Sequence, residues 1–409
     1  MTEDGLHCSR GPVNLAPTNT TLRLDVALGR QLLDALSACK KNQDSPDQRS
    51  LAEELEWFIV RHQNHMDRLG AYFLVKEKEV CGFTFFLLQD RPLLGYLGEL
   101  KVFSIPLRCV RFVDPPHFPD ESQAYDQILE SVKRMSSVDG LYVRSLRVDS
   151  FFCDYLNTNS GIRKEFLAYR PSNPSRHYVI NLPASFGEYM QKFSAKTRSN
   201  LRRSVRKLQK DTGAEVRLSR ITSPEQVDHF VNFAFEISKK TYQWHLLGSG
   251  LRSPEVLKRN LRFLAERKWL RCYLLWCGKE VCAFMICHQR NGVCHSPAIG
   301  YDPQWEQYSV GTIQQLLVIE DLFSYDRPAI FDFGTGAGAQ KEFFGNTHYL
   351  DTDVYLLRRR AYARLACSVH RASNNLTRYT SRLFDRLHLK KHVKKFIRKA
   401  SVPIRSREK

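Results

Sequence analysis

The residues around Gly311 have the types and spacing that suit a binding site for phosphate groups. A short apolar strand ends in the sequence GYDPQWEQYSVGT, and a long apolar helix follows at once. The first N–H groups of a helix lack acceptors within the helix and carry the positive end of its dipole. The sequence therefore predicts that main-chain amides here hold an anionic group such as a diphosphate. A simple hydroxyl cap of the helix is the alternative. The residues predicted to form the site are Ser309, Val310, Gly311 and Thr312.

A glycine-rich turn follows the next predicted strand. Asp332 begins the sequence DFGTGAG, and Lys341 comes shortly after it. An aspartate at a strand end can fix such a turn by accepting hydrogen bonds from the amides of Gly334 or Thr335. The pattern is also typical of the first glycine motif of S-adenosylmethionine-dependent methyltransferases. That fold needs several more strand and helix units than the residues after Ala339 can supply, so the sequence disfavours it.

Both turns together resemble the GNAT-related acyltransferases of the cellulose-biosynthesis (CelD/BcsL-like) type, which are relatives of the FemABX aminoacyl transferases. The resemblance rests on the GYDPxWxxYSxG turn with its helix and on DFGxG followed by a lysine. LPASFGEYMQKFSAKTRSNLRRSVRKL is similar to the opening helices of that domain, and the whole resemblance spans residues 178–357. It implies an N-acyltransferase that moves an acyl group from acyl-CoA, acetyl-CoA or longer, to an amine of a sugar or envelope precursor, without a metal.

The resemblance also implies roles for individual residues. Lys341 would stabilise charge in the transfer step, and Asp332 would orient it, accept a proton or simply fix the turn. Tyr308 would donate a proton to the leaving thiolate or form an aromatic wall. The turn departs from the Q/R-x-x-G-x-G/A pattern common in GNAT enzymes. Residues similar to those near the acceptor in the family are Arg198, Arg202, Trp244 and His245.

Two other functions stay open at this point. One is a FemABX-like transferase that uses aminoacyl-tRNA as donor, and the basic C-terminal segment would then bind the tRNA. The other is a degenerate GNAT module that binds nucleic acid or a partner without catalysis. The sequence indicates neither the acyl chain nor the oligomeric state.

The net charge of +19 is concentrated near the C-terminus. Residues 358–409 contain 17 Lys or Arg against two acidic residues. Apolar residues recur at helical spacing between Leu389 and Ala400, with lysines between them. Such a helix is typical of binding to an anionic membrane surface, although nucleic acid exerts the same attraction and a plain basic tail has the same composition.

Eleven cysteines raise the question of a metal site or disulfides. Four of them recur at five-residue steps, but no C-x-x-C pair occurs, and an odd step along a strand points successive thiols to opposite faces. The sequence therefore predicts reduced, buried thiols. The first residues lack a secretory signal, and no apolar run reaches the roughly 18 residues that cross a bilayer, which predicts the cytosol or the inner membrane face. The four cysteines are Cys272, Cys277, Cys282 and Cys287.

The predicted fold is α/β (α+β), with tandem GNAT-like domains built on mixed, mostly antiparallel sheets and a basic helical tail. A proline-rich stretch at residues 170–175 separates the two halves. The predicted segments are a flexible N-terminus at 1–21, a divergent GNAT-like domain at 22–170, a catalytic domain at 171–357 and the tail at 358–409.

Local patterns predict individual elements within these segments. A helix should begin near Ser194 and stop at Gly213, and Gly278-Lys279 and Asn291-Gly292 should form hairpin turns. A further helix is predicted over residues 51–66 and a strand over 97–105.

Overall fold

The computed structural model describes residues 22–386 apart from 42–45, 77–78, 98–99, 115, 117, 119–121, 242–249 and 252. The described chain forms two compact units. Unit 1 contains the residues up to Pro174 and those from Thr352 onward, and unit 2 is Ser175–Asp351. The predicted N-terminal segment, the helix pattern at 389–400, Trp244 and His245 lie outside the described residues.

Unit 1 begins with eight strands and five helices. The strands are β1 (Arg23–Leu28), β2 (Leu69–Lys76), β3 (Glu79–Asp90), β4 (Leu93–Leu97), β5 (Leu100–Ile105), β6 (Arg108–Phe112), β7 (Gly140–Arg147) and β8 (Phe166–Tyr169). The helices are α1 (Gln31–Lys41), α2 (Pro46–His62), α3 (Ser122–Arg134), α4 (Phe151–Thr158) and α5 (Ser160–Glu165). Neighbouring strands follow the order β1-β2-β3-β6-β7, and β4 and β5 form a separate hairpin. The pair β6–β7 is parallel, with α3 as the crossover, whereas β1–β2, β2–β3 and β3–β6 are antiparallel.

Unit 2 contains six strands of its own and six helices. The strands are β9 (Ser175–Asn181), β10 (Val216–Ile221), β11 (Cys272–Cys277), β12 (Glu280–Arg290), β13 (Val293–Tyr301) and β14 (Ile330–Asp332). The helices are α6 (Phe186–Met190), α7 (Ala195–Thr212), α8 (Val227–Lys240), α9 (Pro254–Glu266), α10 (Val310–Ser324) and α11 (Ala339–Phe344). Their order in the sheet is β10-β11-β12-β13-β14-β9. The pair β13–β14 is parallel, and β10–β11, β11–β12, β12–β13 and β14–β9 are antiparallel.

The last described segments divide between the units. Strand β15 (Thr347–Arg358) pairs through residues 347–351 with β9 in unit 2 and through residues 355–358 with β8 in unit 1. Helix α12 (Ala361–Arg386) belongs to unit 1, where it packs on β4 and β8.

The two units share one order of elements. Each has a strand, two helices, an antiparallel run of strands, a crossover helix and a strand parallel to the one before the crossover. The predicted α/β fold with tandem domains and mostly antiparallel sheets is confirmed. The strand at 330–332 is followed by one short helix and β15, which is not the series of strand and helix units that a methyltransferase needs.

Local signals predicted several elements well. Ser194 caps α7 through its side chain, and Gly213 ends that helix at φ 64°, as predicted. The dipeptides Gly278-Lys279 and Asn291-Gly292 form the two predicted hairpin turns. The strand predicted over 97–105 corresponds to β5, which begins at Leu100, whereas β4, the strand that pairs with it, was not predicted. The helix predicted over 51–66 begins at Pro46 and ends at His62.

The cysteines with five-residue spacing are buried free thiols. Cys277 and Cys282 lie in one apolar cluster of unit 2 with Leu208, and Cys287 lies in another with Phe331. No group of three or more His, Cys, Asp or Glu side chains suited to a metal ion occurs among the described residues. Within the same residues, no helix combines the length and apolar character that crossing a membrane requires.

Candidate functional site

The start of α10 presents main-chain N–H groups at the end of β13. Ser309 lies just before the helix in the left-handed conformation, at φ 55°. Its carbonyl accepts hydrogen bonds from the amides of Thr312 and Ile313, at 2.9 and 3.2 Å. The amides of Val310 and Gly311 come one turn too early for an acceptor within the helix. The hydroxyl of Ser309 makes no capping hydrogen bond to the helix, so the alternative of a simple hydroxyl cap does not apply to Ser309.

The loop that aims α10 is fixed by buried Asp302. Its carboxylate accepts the amide of Gln304 at 3.1 Å and the ammonium of Lys240 at 2.6 Å. Pro303 then starts a short 3-10 turn that ends at Tyr308. The sequence Asp-Pro after the strand thus sets the angle at which the chain enters the helix.

Strands β13 and β14 separate at this end of the sheet. Their parallel pairing runs through three positions and ends at His295 opposite Asp332. Beyond His295, β13 stays paired with β12, whereas β14 gives way to a turn whose Gly334 and Gly336 have φ of 76° and 86°. A crevice at the carboxyl ends of parallel strands, next to a helix start, is a common ligand site in α/β sheets.

A line of hydrogen-bonded acids and histidines ends in this crevice. Buried His177 on β9 contacts Asp332 through Nε2 at 2.7 Å and Asp351 of β15 through Nδ1 at 3.0 Å. Its ring stacks on Tyr349 at 4.6 Å. The other Asp332 oxygen lies 3.5 Å from Nδ1 of His295, whose side chain is 42% exposed. The line therefore connects a buried imidazole to a histidine that solvent can reach.

Electrostatics make the buried part of this line charged. Burial alone would lower the pKa of His177, but its hydrogen bonds to Asp332 and Asp351 outweigh burial and raise the pKa to about 9. Burial would raise the pKa of Asp332, but hydrogen bonds from His177 and His295, the His177 charge and the Gly334 amide hold that pKa well below its usual range. At neutral pH, His177 is an imidazolium between two carboxylates, so Asp332 is a poor proton acceptor.

Lys341 is tied to the glycine-rich turn. Its ammonium donates to the carbonyls of Gly334 and Thr335, at 2.9 and 2.8 Å. The amide of Gly334 donates to Asp332 at 2.7 Å, so lysine and aspartate hold the same glycine through different atoms. The preceding Gln340 donates to the carbonyl of Gly311 at 3.2 Å, which places the glycine-rich turn beside the start of α10.

The other predicted site residues make their described contacts with other parts of unit 2. Tyr308 packs beside Trp305, 6.1 Å between ring centres, against a cluster that contains Leu208. The guanidinium of Arg198 donates to the carbonyl of Phe193 at 2.6 Å, which gives it a structural contact. Arg202 is exposed on α7 and lines a groove along the middle of α10. The groove is lined by Arg202, Val205, Arg206, Leu316, Leu317 and Glu320.

Gln314 is a buried polar residue one turn into α10. It is fully buried, and neither its carboxamide nitrogen nor its oxygen has a hydrogen-bond partner among the described residues. Leaving such a group unpaired costs about 1–3 kcal/mol, so it indicates a ligand or water that completes the bonds.

Sequence reasoning missed four of these residues. His177 and Asp351 are 174 positions apart and meet only because β9 and β15 pair, and His295 faces Asp332 through the parallel register. Gln314 is inconspicuous in an apolar helix. One signal was present: a histidine and an aspartate inside otherwise apolar strands need buried partners.

Comparisons with known proteins agree with this geometry. Residues 195–349, less than half of the chain, match the family model described as an acetyltransferase (GNAT) domain. No curated protein matches the chain.

Several solved structures can be superimposed on this chain at low sequence identity. The crystal structure of FemX superimposes with a TM-score of 0.53 at 10% identity, over 76% of this chain and 93% of that chain. The C-terminal domain of a putative lysylphosphatidylglycerol synthetase from Agrobacterium fabrum gives 0.47 at 11% identity, over 84% and 96%. A tandem GNAT protein from the clavulanic acid biosynthesis pathway gives 0.44 at 11% identity, over 83% and 98%. The FemX match shows a shared fold, and the residues that match the GNAT acetyltransferase model all lie in unit 2.

Proposed function

We propose that unit 2 is an N-acyltransferase that takes an acyl group from acyl-CoA and attaches it to an amine, in a sugar or cell-envelope precursor. The observation that carries this proposal is the start of α10 at the point where β13 and β14 separate. The amides of Val310 and Gly311 would hold the diphosphate of the donor. Gln314 would bond to its amide-bearing arm.

The transfer step requires the amine nitrogen to bond to the thioester carbon while the carbon–sulfur bond breaks. The amine loses a proton, and the thiolate gains one. We assign the first proton to His295, because it is the exposed histidine of the crevice and Asp332 faces one of its nitrogens. Tyr308 stays the proposed donor to the thiolate. Lys341 acts as a positioning residue, since its ammonium holds the turn that carries Asp332.

The acceptor would lie toward α7, whose outer face is strongly cationic. Arg202 is exposed there, and a guanidinium can hold phosphate or carboxylate groups of an activated sugar in two-point contacts. Arg198 is already bonded to a carbonyl, so Arg202 is the stronger candidate. Trp244 and His245 remain proposed acceptor contacts. The basic segment 358–409 would keep the protein at an anionic membrane surface.

Binding of the donor is the first test. Coenzyme A and acetyl-CoA should raise the melting temperature of the full chain. Amino sugars should then accelerate the release of free thiol from acetyl-CoA. A rise in melting temperature with aminoacyl-tRNA but not with coenzyme A would favour the aminoacyl-tRNA donor. The cationic face of α7 is the observation that supports this second candidate. Silence toward both donors would overturn the proposal and favour a binding module.

Substitution of Gln314 tests the donor pocket itself. Gln314→Met keeps the volume and removes an unpaired amide, so the free protein should become about 1 kcal/mol more stable. Its affinity for coenzyme A should fall roughly tenfold, because a hydrogen bond to the ligand is lost. Gln315→Met is the matched control, since Gln315 is also buried on α10 with its amide nitrogen unpaired but projects about 100° away. Equal losses of affinity in both variants would contradict the assignment.

A further inference from the structure

Helix α12 in unit 1 exposes a continuous apolar stripe. We define the outer stripe as five large side chains at steps of three, four, seven and three, which places them on one side of the helix. Leu365, Leu376 and Tyr379 are 64%, 55% and 69% exposed. The members of the outer stripe are Tyr362, Leu365, Val369, Leu376 and Tyr379.

The opposite side of α12 is firmly attached to unit 1. Ala363, Ala366 and Cys367 are buried in a cluster with Leu93 of β4. Nδ1 of His370 is hydrogen-bonded to the hydroxyl of Tyr169, and its Nε2 lies 3.2 Å from the carbonyl oxygen of Leu94. Tyr362 of the outer stripe also donates through its hydroxyl to the carbonyl of Pro106 at 2.8 Å. The helix is therefore attached to unit 1 mainly through the side opposite the outer stripe.

The charge beside the outer stripe has one sign. Arg364, Arg371 and Arg378 follow one another at seven-residue steps and form a row along its flank. No Asp or Glu occurs in the sequence from Ala361 to Phe384. An apolar stripe with a cationic flank is the pattern of a helix that lies in the interface of an anionic bilayer.

We propose that this face of α12 docks on an anionic lipid surface, with the outer stripe among the acyl chains and the arginine row at the headgroups. Nucleic acid would satisfy the arginines but leaves the exposed leucines without a role. A second copy of α12 packed on the same face would bring two arginine rows together. The proposal rests on and sharpens the membrane contact proposed above for residues 358–409, and it does not depend on acyl transfer.

The test is sedimentation of the full chain with lipid vesicles. The chain should bind vesicles of equal parts phosphatidylglycerol and phosphatidylcholine more tightly than pure phosphatidylcholine. Leu365→Gln with Leu376→Gln should weaken binding at least about tenfold, because two apolar side chains no longer insert. Arg364→Gln with Arg378→Gln should weaken it roughly 25-fold, about fivefold for each charge near the surface.

Matched substitutions elsewhere in unit 1 provide the controls. Leu33→Gln changes a leucine that is 44% exposed on α1, and Arg163→Gln with Lys164→Gln removes two exposed charges on α5. Both controls should stay within twofold of the original chain.

Three outcomes overturn the proposal. In the first, the Leu365→Gln, Leu376→Gln variant binds vesicles as tightly as the original chain. In the second, the α5 control loses as much vesicle affinity as the Arg364→Gln, Arg378→Gln variant. In the third, the leucine variant changes only the oligomeric state measured by light scattering. Coenzyme A binding, measured on the same variants, should be unchanged. If the original chain does not bind coenzyme A, that result counts against the proposed function but does not affect the conclusion about lipid binding.

Discussion

The two units build the same parallel strand pair but place different side chains at its third position. In unit 1, Arg111 of β6 faces Tyr142 of β7, and in unit 2, His295 faces Asp332. The hydroxyl of Tyr142 donates to Asp353 at 2.6 Å, and burial with that bond raises the pKa of Tyr142 to about 12. Unit 1 thus buries a neutral phenol at the position where unit 2 has a carboxylate bonded to an imidazolium.

This difference shows that the shared scaffold does not dictate the chemistry. A parallel register brings two strand ends together in both units, whatever residues occupy them. Among the residues that the structure describes, those of unit 2 adjoin a glycine-rich turn and the start of a helix with an unpaired buried amide close behind it. We therefore place the proposed reaction in unit 2, and the predictions below test how far the two strand pairs differ.

Removing the carboxylate beside His177 in unit 2, and the one beside Tyr142 in unit 1, should give the largest difference in unfolding free energy between the two units. Asp351→Asn takes a charge from buried His177 and should cost about 3 kcal/mol of unfolding free energy, since it leaves a buried cation poorly compensated. Asp353→Asn, two positions along β15, should cost about 1 kcal/mol, because Asp353 bonds to a hydroxyl and an amide. Calorimetric unfolding at pH 7 measures both. Equal losses would mean that His177 is neutral in the folded protein.

The dependence of stability on pH should have opposite signs in the two units. The pKa of His177 is raised to about 9 from an ordinary 6.5, so its contribution is complete below pH 6.5 and is lost as the pH rises through 9. The size should be on the order of 2 kcal/mol. Burial lowers the pKa of His370 in unit 1, so its contribution is present above pH 6.5 and is lost as the pH falls.

Urea unfolding at pH 5, 7 and 9 distinguishes the two histidines. His177→Gln should remove the loss of stability on the alkaline side and leave the acid-side contribution of His370 in place. His370→Gln should do the reverse. If the alkaline loss persists in His177→Gln, the imidazolium between Asp332 and Asp351 does not exist.

The sequence predicted those parts of the site that depend on neighbouring residues. The Asp-Pro turn, the start of α10, the glycine-rich turn and the caps of α7 are encoded within a few positions of one another. The same signals predicted the fold class, which the structure confirms, because the order of strands and helices follows from local patterns. The unit boundaries and the roles of Lys341, Tyr308 and Arg202 stay predictions.

The buried charged line could not be predicted, because it depends on pairing between distant strands. His177 joins Asp332 and Asp351 only after β14 and β15 have both paired with β9. No local propensity encodes that register, which is set by the packing of the whole sheet. For the same reason, the family resemblance implied a catalytic role for Asp332 without revealing that two histidines lower its pKa.

The smallest expected effect concerns a strained serine in each unit. Ser145 of β7 and Ser309 before α10 have φ of 51° and 55°, a region that glycine adopts with less strain. Ser145→Gly and Ser309→Gly should each change the unfolding free energy by less than about 1 kcal/mol, since relief of strain is offset by the greater freedom of glycine in the unfolded chain. If main-chain amides alone hold the diphosphate, Ser309→Gly should keep its affinity for coenzyme A within about twofold, as Ser145→Gly should. A tenfold loss confined to Ser309→Gly, read by titration calorimetry, would assign the contact to the hydroxyl and move the proposed cradle from the backbone to this side chain.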